Sequence, residues 1–489
     1  MLLAAGALAW VLIDRHFDPR NSPAGSVLSG PVTRHVVALS RGDRDRIERA
    51  RTAVLEGKAA TLAFGADGTQ RLSELLMASE ALAATPRAQR ISARDRFLSL
   101  AEGFNRLLAE RRLPYFIDAD LTITDARMMP VIVSYYVERE VRLTAAGKSV
   151  RAVHLWRLDR LNFHRGYLGY TRPRTPAAMV LLDQIESDLV RYVLPAIPAD
   201  EPMILVDERT ELAGSPWVAE LSLRAGRAIR RHFQLVPKEE LDGVEKVGRL
   251  LARRRALVQK WRAEVRGLGL ELVVPERLLP ESDYVADLEN RVPRSNLEEW
   301  EQIHRELMSR DGYDAFLRLR NRYVWSVQRH EVQHRIDYTR ELVPVPEILA
   351  KRLDVENPIG VEEGTLPARA RDELSAYLSS IVQANDSPLL ELVLLARFLF
   401  DDSNLGGPYS YAALAAYEGI ARELGIDVDA LIGTGPVSRQ RLTELFYAVI
   451  ERSPDELRAA ADRFYFAAYG EKLPVVTVES NHANAEWRH

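Results

Sequence analysis

Two histidines four residues apart are the strongest chemical signal in the sequence. His330 and His334 enclose Glu331 and two uncharged residues in the stretch RHEVQHRID, residues 329–337. Residues four apart lie above one another on one face of an α-helix, so both imidazoles can reach a single metal ion. Glu331 is rotated by about 100° from His330, which directs its carboxylate to a water on the metal rather than to the metal. The spacing therefore predicts a zinc site beside a general base.

The residues around this stretch favour a helix that is continuous through both histidines. The segment 321–342 contains neither glycine nor proline. Tyr323, Val324 and Val327 place an apolar stripe ahead of the histidines, as expected for a helix whose metal-binding face points inward. A buried helix with a purely structural role and no metal is the alternative interpretation.

The five residues 330–334 resemble the His-Glu-x-x-His signature of the zincin metallopeptidases. The resemblance covers this helix and extends, less specifically, to about residue 385. It implies zinc-assisted hydrolysis of a peptide bond, with Glu331 taking the proton of the attacking water and passing it to the leaving amine. The metzincin branch needs a histidine where this sequence has Arg340. The resemblance is therefore to the gluzincin type, in which a second helix supplies a glutamate ligand.

Glu373 is the residue that the gluzincin resemblance implies as the third zinc ligand. A catalytic zinc takes three protein ligands and keeps one position open. The segment 365–386 predicts a second helix, capped by Thr365, with Glu373 beside its buried side. Glu362 and Glu363 in the preceding loop are alternative ligands, and an exposed Glu373 paired with an arginine is the alternative for that residue.

The sequence departs from the gluzincin pattern at two places. Many gluzincins carry an aspartate four residues after the ligand glutamate, and it orients a zinc histidine. Tyr377 holds that position here, so either its hydroxyl or Asp337 is a candidate for the orienting role. Arg335 directly follows the second histidine, where the family normally has an uncharged residue.

Tyr409 is a candidate second donor to the oxyanion that forms during hydrolysis. It lies in the Gly-Pro stretch NLGGPYSYAA, residues 404–413, between two predicted helices. Loops on a rigid scaffold often carry such donors. A packed tyrosine in an ordinary loop is the simpler interpretation of the same residues.

The composition bounds the possible functions. The 489 residues are 47% hydrophobic, which is ample for a packed core, and the net charge is −4. Nucleic-acid binders usually carry a strong positive excess, so no nucleic-acid partner is expected. There is no cysteine, which excludes disulfides, thiol nucleophiles and cysteine ligands to zinc.

The hydrophobic periodicity predicts an α+β fold in which a mixed N-terminal half is followed by a mostly helical, zincin-like domain. Residues 131–158 alternate and read as a long β-hairpin. Residues 175–197 read as a helix, residues 201–208 as a possible strand, and 237–266 as a long helix. The predicted division is 1–30 (signal or membrane anchor and linker), 31–235 (α+β domain), 236–295 (connecting helical region) and 296–489 (catalytic domain).

The first thirteen residues form an unbroken apolar run, MLLAAGALAWVLI. A membrane-spanning helix needs about 20 apolar residues, so this run suits an export signal or a short anchor better. We expect a protein that is exported or membrane-anchored, in the periplasm or envelope of a bacterium. A buried N-terminal helix is the alternative.

These features together predict a zinc-dependent metallohydrolase of the cell envelope that acts on a peptide or protein substrate. A non-catalytic envelope scaffold that retains a zincin-like domain is one alternative, and an open coordination position at the metal would argue against it. A soluble cytoplasmic hydrolase, in which the apolar run belongs to the core, is the other.

Overall fold

The computed structural model describes most of the chain. The described residues are 18–86, 89–124, 127–159, 167–173, 175, 177–198, 201–206, 215–266, 277–278, 294–340, 343–384, 388–401, 404–432 and 437–479. The apolar run 1–13 lies outside them, so its role as a signal or anchor stays a prediction. Among the helices of the described residues, none is both long and apolar enough to cross a bilayer.

The first half of the chain places helices before a sheet. The helices are α1 (Pro23–Val27), α2 (Thr33–Arg41), α3 (Arg44–Leu55), α4 (Lys58–Ala84) and α5 (Arg90–Glu110). The strands are β1 (Tyr115–Thr124), β2 (Arg127–Ala145), β3 (Lys148–Arg157), β4 (Gly169–Tyr170) and β5 (Ala178–Leu181). Two short turns of 3₁₀ and π helix, Pro19–Asn21 and Leu28–Val32, flank α1.

From Leu182 onward, the regular elements of the described residues are helices apart from one short strand. Its helices are α6 (Leu182–Asp188), α7 (Pro216–Phe233), α8 (Lys238–Arg266), α9 (Arg294–Leu307), α10 (Arg310–Asp337), α11 (Glu347–Arg352), α12 (Leu366–Val382), α13 (Leu389–Phe400), α14 (Pro408–Glu423), α15 (Val428–Ile432), α16 (Arg439–Ile450) and α17 (Pro454–Tyr469). A π turn, Leu189–Val193, and a 3₁₀ turn, Leu194–Ala196, follow α6, and β6 (Val476–Val478) ends the described chain.

The strands form one mixed sheet in the order β1-β2-β3-β5-β4. β1, β2 and β3 are antiparallel neighbours, β5 runs parallel to β3, and β4 is antiparallel to β5. β6 returns from the C-terminal region and pairs with β2 over Leu143–Ala145. The α+β class and the β2–β3 hairpin are therefore confirmed.

Two predicted elements are wrong. Residues 175–197 are not one helix, because Ala178–Leu181 form β5 and the helix begins only at Leu182. All four residues of β5 are buried, with Met179 and Leu181 in one core and Val180 in another. A strand that is buried on both faces loses the alternation that identifies strands, so its sequence resembles a buried helix. Residues 201–206 form no strand.

α10 passes between the sheet and the helical core, and that position fixes the functional site. Val332 and Ile336 pack on the sheet among residues of β2, β3 and β5. One and two turns earlier, Tyr323, Val324 and Val327 lie in the large helical core. The helix is therefore held by apolar contacts on two sides, which leaves its remaining sides for polar residues.

Candidate functional site

α10 buries an unusual number of polar side chains. They are Ser326, Gln328, Arg329, Glu331, Gln333, His334 and Asp337. Buried polar groups normally have hydrogen-bond partners, so the polar side chains on each face of α10 need partners in the elements packed against that face. The partners define three polar faces, and each face is described in turn below.

The first polar face is a hydrogen-bonded row along α10. Arg329 donates to the Gln333 side-chain oxygen at 3.0 Å, and Gln333 donates to Asp337 Oδ1 at 2.9 Å. Arg329 also donates to Gln383 at 2.7 Å and to the Pro474 carbonyl at 3.1 Å. This row ties α10 to the end of α12 and to the segment that leads into β6, so it fixes the helix without contacting the histidines through hydrogen bonds.

The second polar face holds both histidines against Glu373 of α12. The two Nε2 atoms of His330 and His334 are 3.2 Å apart. Glu373 Oε2 lies 3.4 Å from His330 Nε2 and 4.0 Å from His334 Nε2. The side chains of His330 and Glu373 are each 17% exposed and that of His334 is 8% exposed. Three donor atoms from two helices therefore converge on one largely buried point.

Burial keeps both imidazoles neutral. It lowers the pKa of His330 to about 3, and the positive charge of Arg329 adds to this effect. It lowers the pKa of His334 to about 4, although the carboxylate of Glu373 opposes the shift. Neutral imidazole nitrogens are metal ligands, whereas protonated ones are not. Burial also raises the pKa of Glu373, and its interactions with His334 and Arg369 counteract that rise.

These donors fit a zinc ion. Tetrahedral zinc with bonds of about 2.0–2.1 Å holds its ligand atoms about 3.3 Å apart, and the observed separations are 3.2, 3.4 and 4.0 Å. Among the described residues, His330, His334 and Glu373 are the one group of three histidine or acidic side chains close enough together to hold a metal. Two nitrogens and one carboxylate oxygen also match the ligand types that zinc takes in proteins.

The third polar face of α10 carries Glu331 toward β4. Thr171 Oγ1 lies 2.9 Å from Glu331 Oε2 and donates a hydrogen bond to it. A Cβ atom on Gly169 would lie 2.7 Å from Glu331 Cγ and 2.6 Å from the Met179 carbonyl oxygen, so a glycine is needed where β4 passes this side chain. Burial raises the pKa of Glu331 well above its ordinary value, while Thr171 opposes the rise and the charge of Glu373 adds to it.

Arg335 stands where the gluzincins normally have an uncharged residue, and here it binds the backbone of the segment after β4. It donates to the carbonyl oxygen of Thr175 at 2.9 Å. Tyr338 donates to the carbonyl oxygen of Thr171 at 3.3 Å. Arg172 of the same segment pairs with Asp118 of β1 at 2.9 Å. These contacts hold the segment after β4 against α10, so that Thr171 stays beside Glu331.

An aromatic wall, formed by Tyr377, Phe398, Tyr409 and Tyr167, leads away from His330. The ring centroid of Tyr377 lies 5.1 Å from that of His330, and the following pairs along the wall are 6.1, 5.4 and 6.4 Å apart. Burial and the charge of Glu373 raise the pKa of Tyr409, so its hydroxyl stays protonated and can donate. Tyr409 thus lies close enough to Glu373 to feel its charge, which is compatible with the donor role predicted for it.

The alternative ligands lie elsewhere. Glu363 is exposed and pairs with Arg371 at 2.9 Å. Glu362 is exposed, and neither residue belongs to the metal-binding group found among the described residues. Among the three glutamates that the sequence offered, the structure thus brings Glu373 alone to the histidines.

The predicted orienting residues do not bond to a histidine. Asp337 accepts from Gln333 and pairs with Arg340 at 3.0 Å. The ring of Tyr377 packs against the ring of His330. Nδ1 of His334 is buried and has no hydrogen-bond partner in the part of the chain that the structure describes. The prediction that Asp337 orients a histidine is therefore not supported by its contacts.

Sequence reasoning missed Gly169 and Thr171. Both lie about 160 positions before Glu331, and no local pattern marks them. They contact Glu331 only because β4 lies at the edge of the sheet, next to α10. Comparison with known proteins adds no further residue, because no family model, curated protein or solved structure matches the chain. Function is therefore inferred from the geometry of the site.

Removing a ligand should remove the metal. We expect purified His334→Ala to lose its zinc and Glu373→Gln to bind zinc more weakly, because each takes away one of three donors. Glu363→Gln is the matched control, since it changes a nearby exposed glutamate that is paired with Arg371. Elemental analysis after dialysis measures the stoichiometry. A full equivalent of zinc in His334→Ala would show that the ligands are assigned wrongly.

Gly169→Ala should be destabilising, because the added methyl group meets both Glu331 and the backbone of β5. Forced overpacking of this kind costs about 1–3 kcal/mol in the free energy of unfolding. Gly103→Ala in α5 is the control, because its Cβ would meet only the Arg106 side chain at 3.7 Å. That change should be neutral or stabilising by up to about 1 kcal/mol. Urea denaturation compares the two, and equal stabilities would contradict the close packing of β4 on Glu331.

Proposed function

We propose that this protein is a zinc-dependent hydrolase that cleaves peptide bonds. The observation that carries the proposal is a three-donor metal site whose first histidine is followed directly by Glu331, a carboxylate that is not one of the donors and that lies within range of the charge of Glu373. A structural zinc site normally uses four protein ligands. Three donors and an adjacent acid are the arrangement that hydrolysis requires.

Each residue has a distinct part in the proposed reaction. His330, His334 and Glu373 would hold the zinc, which supplies Lewis acidity toward a water and a substrate carbonyl. Glu331 takes the proton of the attacking water and delivers it to the leaving amine. Thr171 keeps Oε2 of Glu331 in place through its hydrogen bond, and Oε1 lies against Gly169 without a side-chain donor among the described residues, so it is the oxygen proposed to take the proton. Tyr409 donates to the negative charge that develops on the carbonyl oxygen.

Two features support a peptide as the substrate. β4 has a single strand partner, β5, among the described residues, and it lies directly against Glu331. Extended peptides bind to proteins by adding to such strand edges. The aromatic wall runs from Tyr377 beside His330 to Tyr167, two residues before β4, and offers contact area for side chains or the backbone of a bound chain. A substrate lying along this wall would pass beside His330.

Replacing Glu331 should separate catalysis from metal binding. Glu331→Gln keeps the shape of the side chain but cannot accept the proton of water. We expect it to retain zinc and thermal stability while turnover falls by about 10²–10⁴-fold. Glu362→Gln, an exposed loop change, should leave turnover unaltered.

The assay is cleavage of a peptide library by zinc-loaded protein, repeated after the metal is removed and restored. Turnover that is unchanged in Glu331→Gln would refute the catalytic role of this residue. If zinc-loaded wild type cut no peptide at all, a metal-bearing envelope scaffold would be the better account.

A further inference from the structure

Arg369 lies one helical turn before Glu373 on α12. Residues four apart share a helix face, so Arg369 lies on the side of α12 that carries the metal-binding carboxylate. Side chains on a helix lean toward its N-terminus, which takes the guanidinium away from Glu373 and toward the start of the helix. Arg369 is exposed, whereas Glu373 is largely buried. The arginine thus lies at the protein surface, one helical turn from the carboxylate of Glu373.

Arg369 makes no hydrogen bond or ion pair through its side chain with any of the residues that the structure describes. Three other arginines on α12, on α10 and in the segment after β4 are engaged. Their partners are Asp118 and Asp120 for Arg172, the Thr175 carbonyl for Arg335, and Asp372 and Glu363 for Arg371. The guanidinium of Arg369 is therefore available to a ligand, and those of the other three are not.

The charge of Arg369 reaches the groups that surround the metal-binding residues. Arg369 lies one helical turn before Glu373, where Cβ atoms are about 5–6 Å apart. Burial and Glu373 raise the pKa of Tyr409, and the positive charge of Arg369 opposes that rise. The guanidinium is therefore within electrostatic range of Glu373 and of the far side of the site at Tyr409.

We propose that Arg369 binds a carboxylate of the substrate, so that the preferred substrates are peptides with a negative charge close to the bond that is cut. This inference rests on the proposed function. A divalent zinc would be balanced only in part by the carboxylate of Glu373, and Arg369 would add a further positive charge. An anionic substrate group supplies the missing partner, and arginine binds carboxylates through two parallel hydrogen bonds.

The position of Arg369 limits where the carboxylate lies. Its Cβ is about 6 Å from that of Glu373, and its side chain extends away from it. An extended peptide advances about 3.4 Å per residue. The carboxylate is thus one to three residues from the cleaved bond. A free C-terminus and an aspartate or glutamate side chain both supply this group.

Two zinc-binding probes of equal length test the proposal. Butyrohydroxamate is uncharged at its far end, whereas succinic monohydroxamate ends in a carboxylate. Calorimetric titration of zinc-loaded wild type should give a Kd about tenfold lower for the carboxylate probe, because a charge-assisted hydrogen bond contributes that much affinity. Arg369→Gln should bind both probes equally, and Arg369→Lys should keep part of the preference. Arg227→Gln, an exposed arginine of α7, should behave as wild type.

The outcomes separate the two proposals. A tenfold preference that persists in Arg369→Gln, or equal binding of both probes by wild type, would overturn the role of Arg369 and leave the metal site intact. A wild-type protein that holds no zinc would overturn the proposed function and this inference with it. Arg369→Gln should also retain a full equivalent of zinc, since Arg369 is not a ligand.

Matched peptides then identify the source of the carboxylate. For a cleaved peptide, the free acid is compared with the C-terminal amide, and an aspartate near the cut bond is compared with asparagine. A kcat/KM that falls on amidation indicates a terminal carboxylate, and one that falls on the change to asparagine indicates a side chain. In either case Arg369→Gln should remove the difference. No dependence of kcat/KM on either change would contradict the proposal.

Discussion

A carboxylate that is enclosed by two neutral imidazoles inside a protein needs a proton or a cation beside it. Glu373 is in this situation, because burial keeps His330 and His334 neutral and leaves the glutamate without a full positive charge at contact distance. A buried, unpaired carboxylate is costly. A zinc ion would satisfy the carboxylate and both imidazole lone pairs at once, and the spacing of the three atoms suits it. The rest of the site is arranged around this requirement.

α10 can meet the requirement because each of its faces has its own partner. The apolar residues Val332 and Ile336 fix the helix on the sheet, and the row from Arg329 to Asp337 fixes it to α12 and the C-terminal segment. These contacts set the distance between α10 and α12, which decides whether Glu373 reaches the histidines. Glu331 is held separately by Thr171. The candidate metal donors and the proposed general base are thus positioned by different parts of the chain.

The sequence predicts the features that depend on residues close together in the chain. It does not predict the contacts that form when distant segments pack against one another. His330, Glu331 and His334 follow from helical spacing alone, and the helix carrying Glu373 follows from its cap and periodicity. Glu373 itself came from the resemblance to a family rather than from spacing. The sequence of β5 predicts a helix, because a strand that is buried on both faces lacks the alternation of apolar and polar residues that identifies strands. Gly169 acts through a contact with Glu331 that no sequence pattern reveals.

The central claim is that zinc binds at three donors and keeps one position open. Crystals of zinc-loaded wild-type protein, with diffraction recorded on both sides of the zinc absorption edge, test it most directly. The expected result is a single anomalous peak between His330 Nε2, His334 Nε2 and Glu373 Oε2 that weakens sharply below the edge, with no fourth protein atom in contact. A peak at another place, or a fourth protein ligand closing the site, would contradict the account.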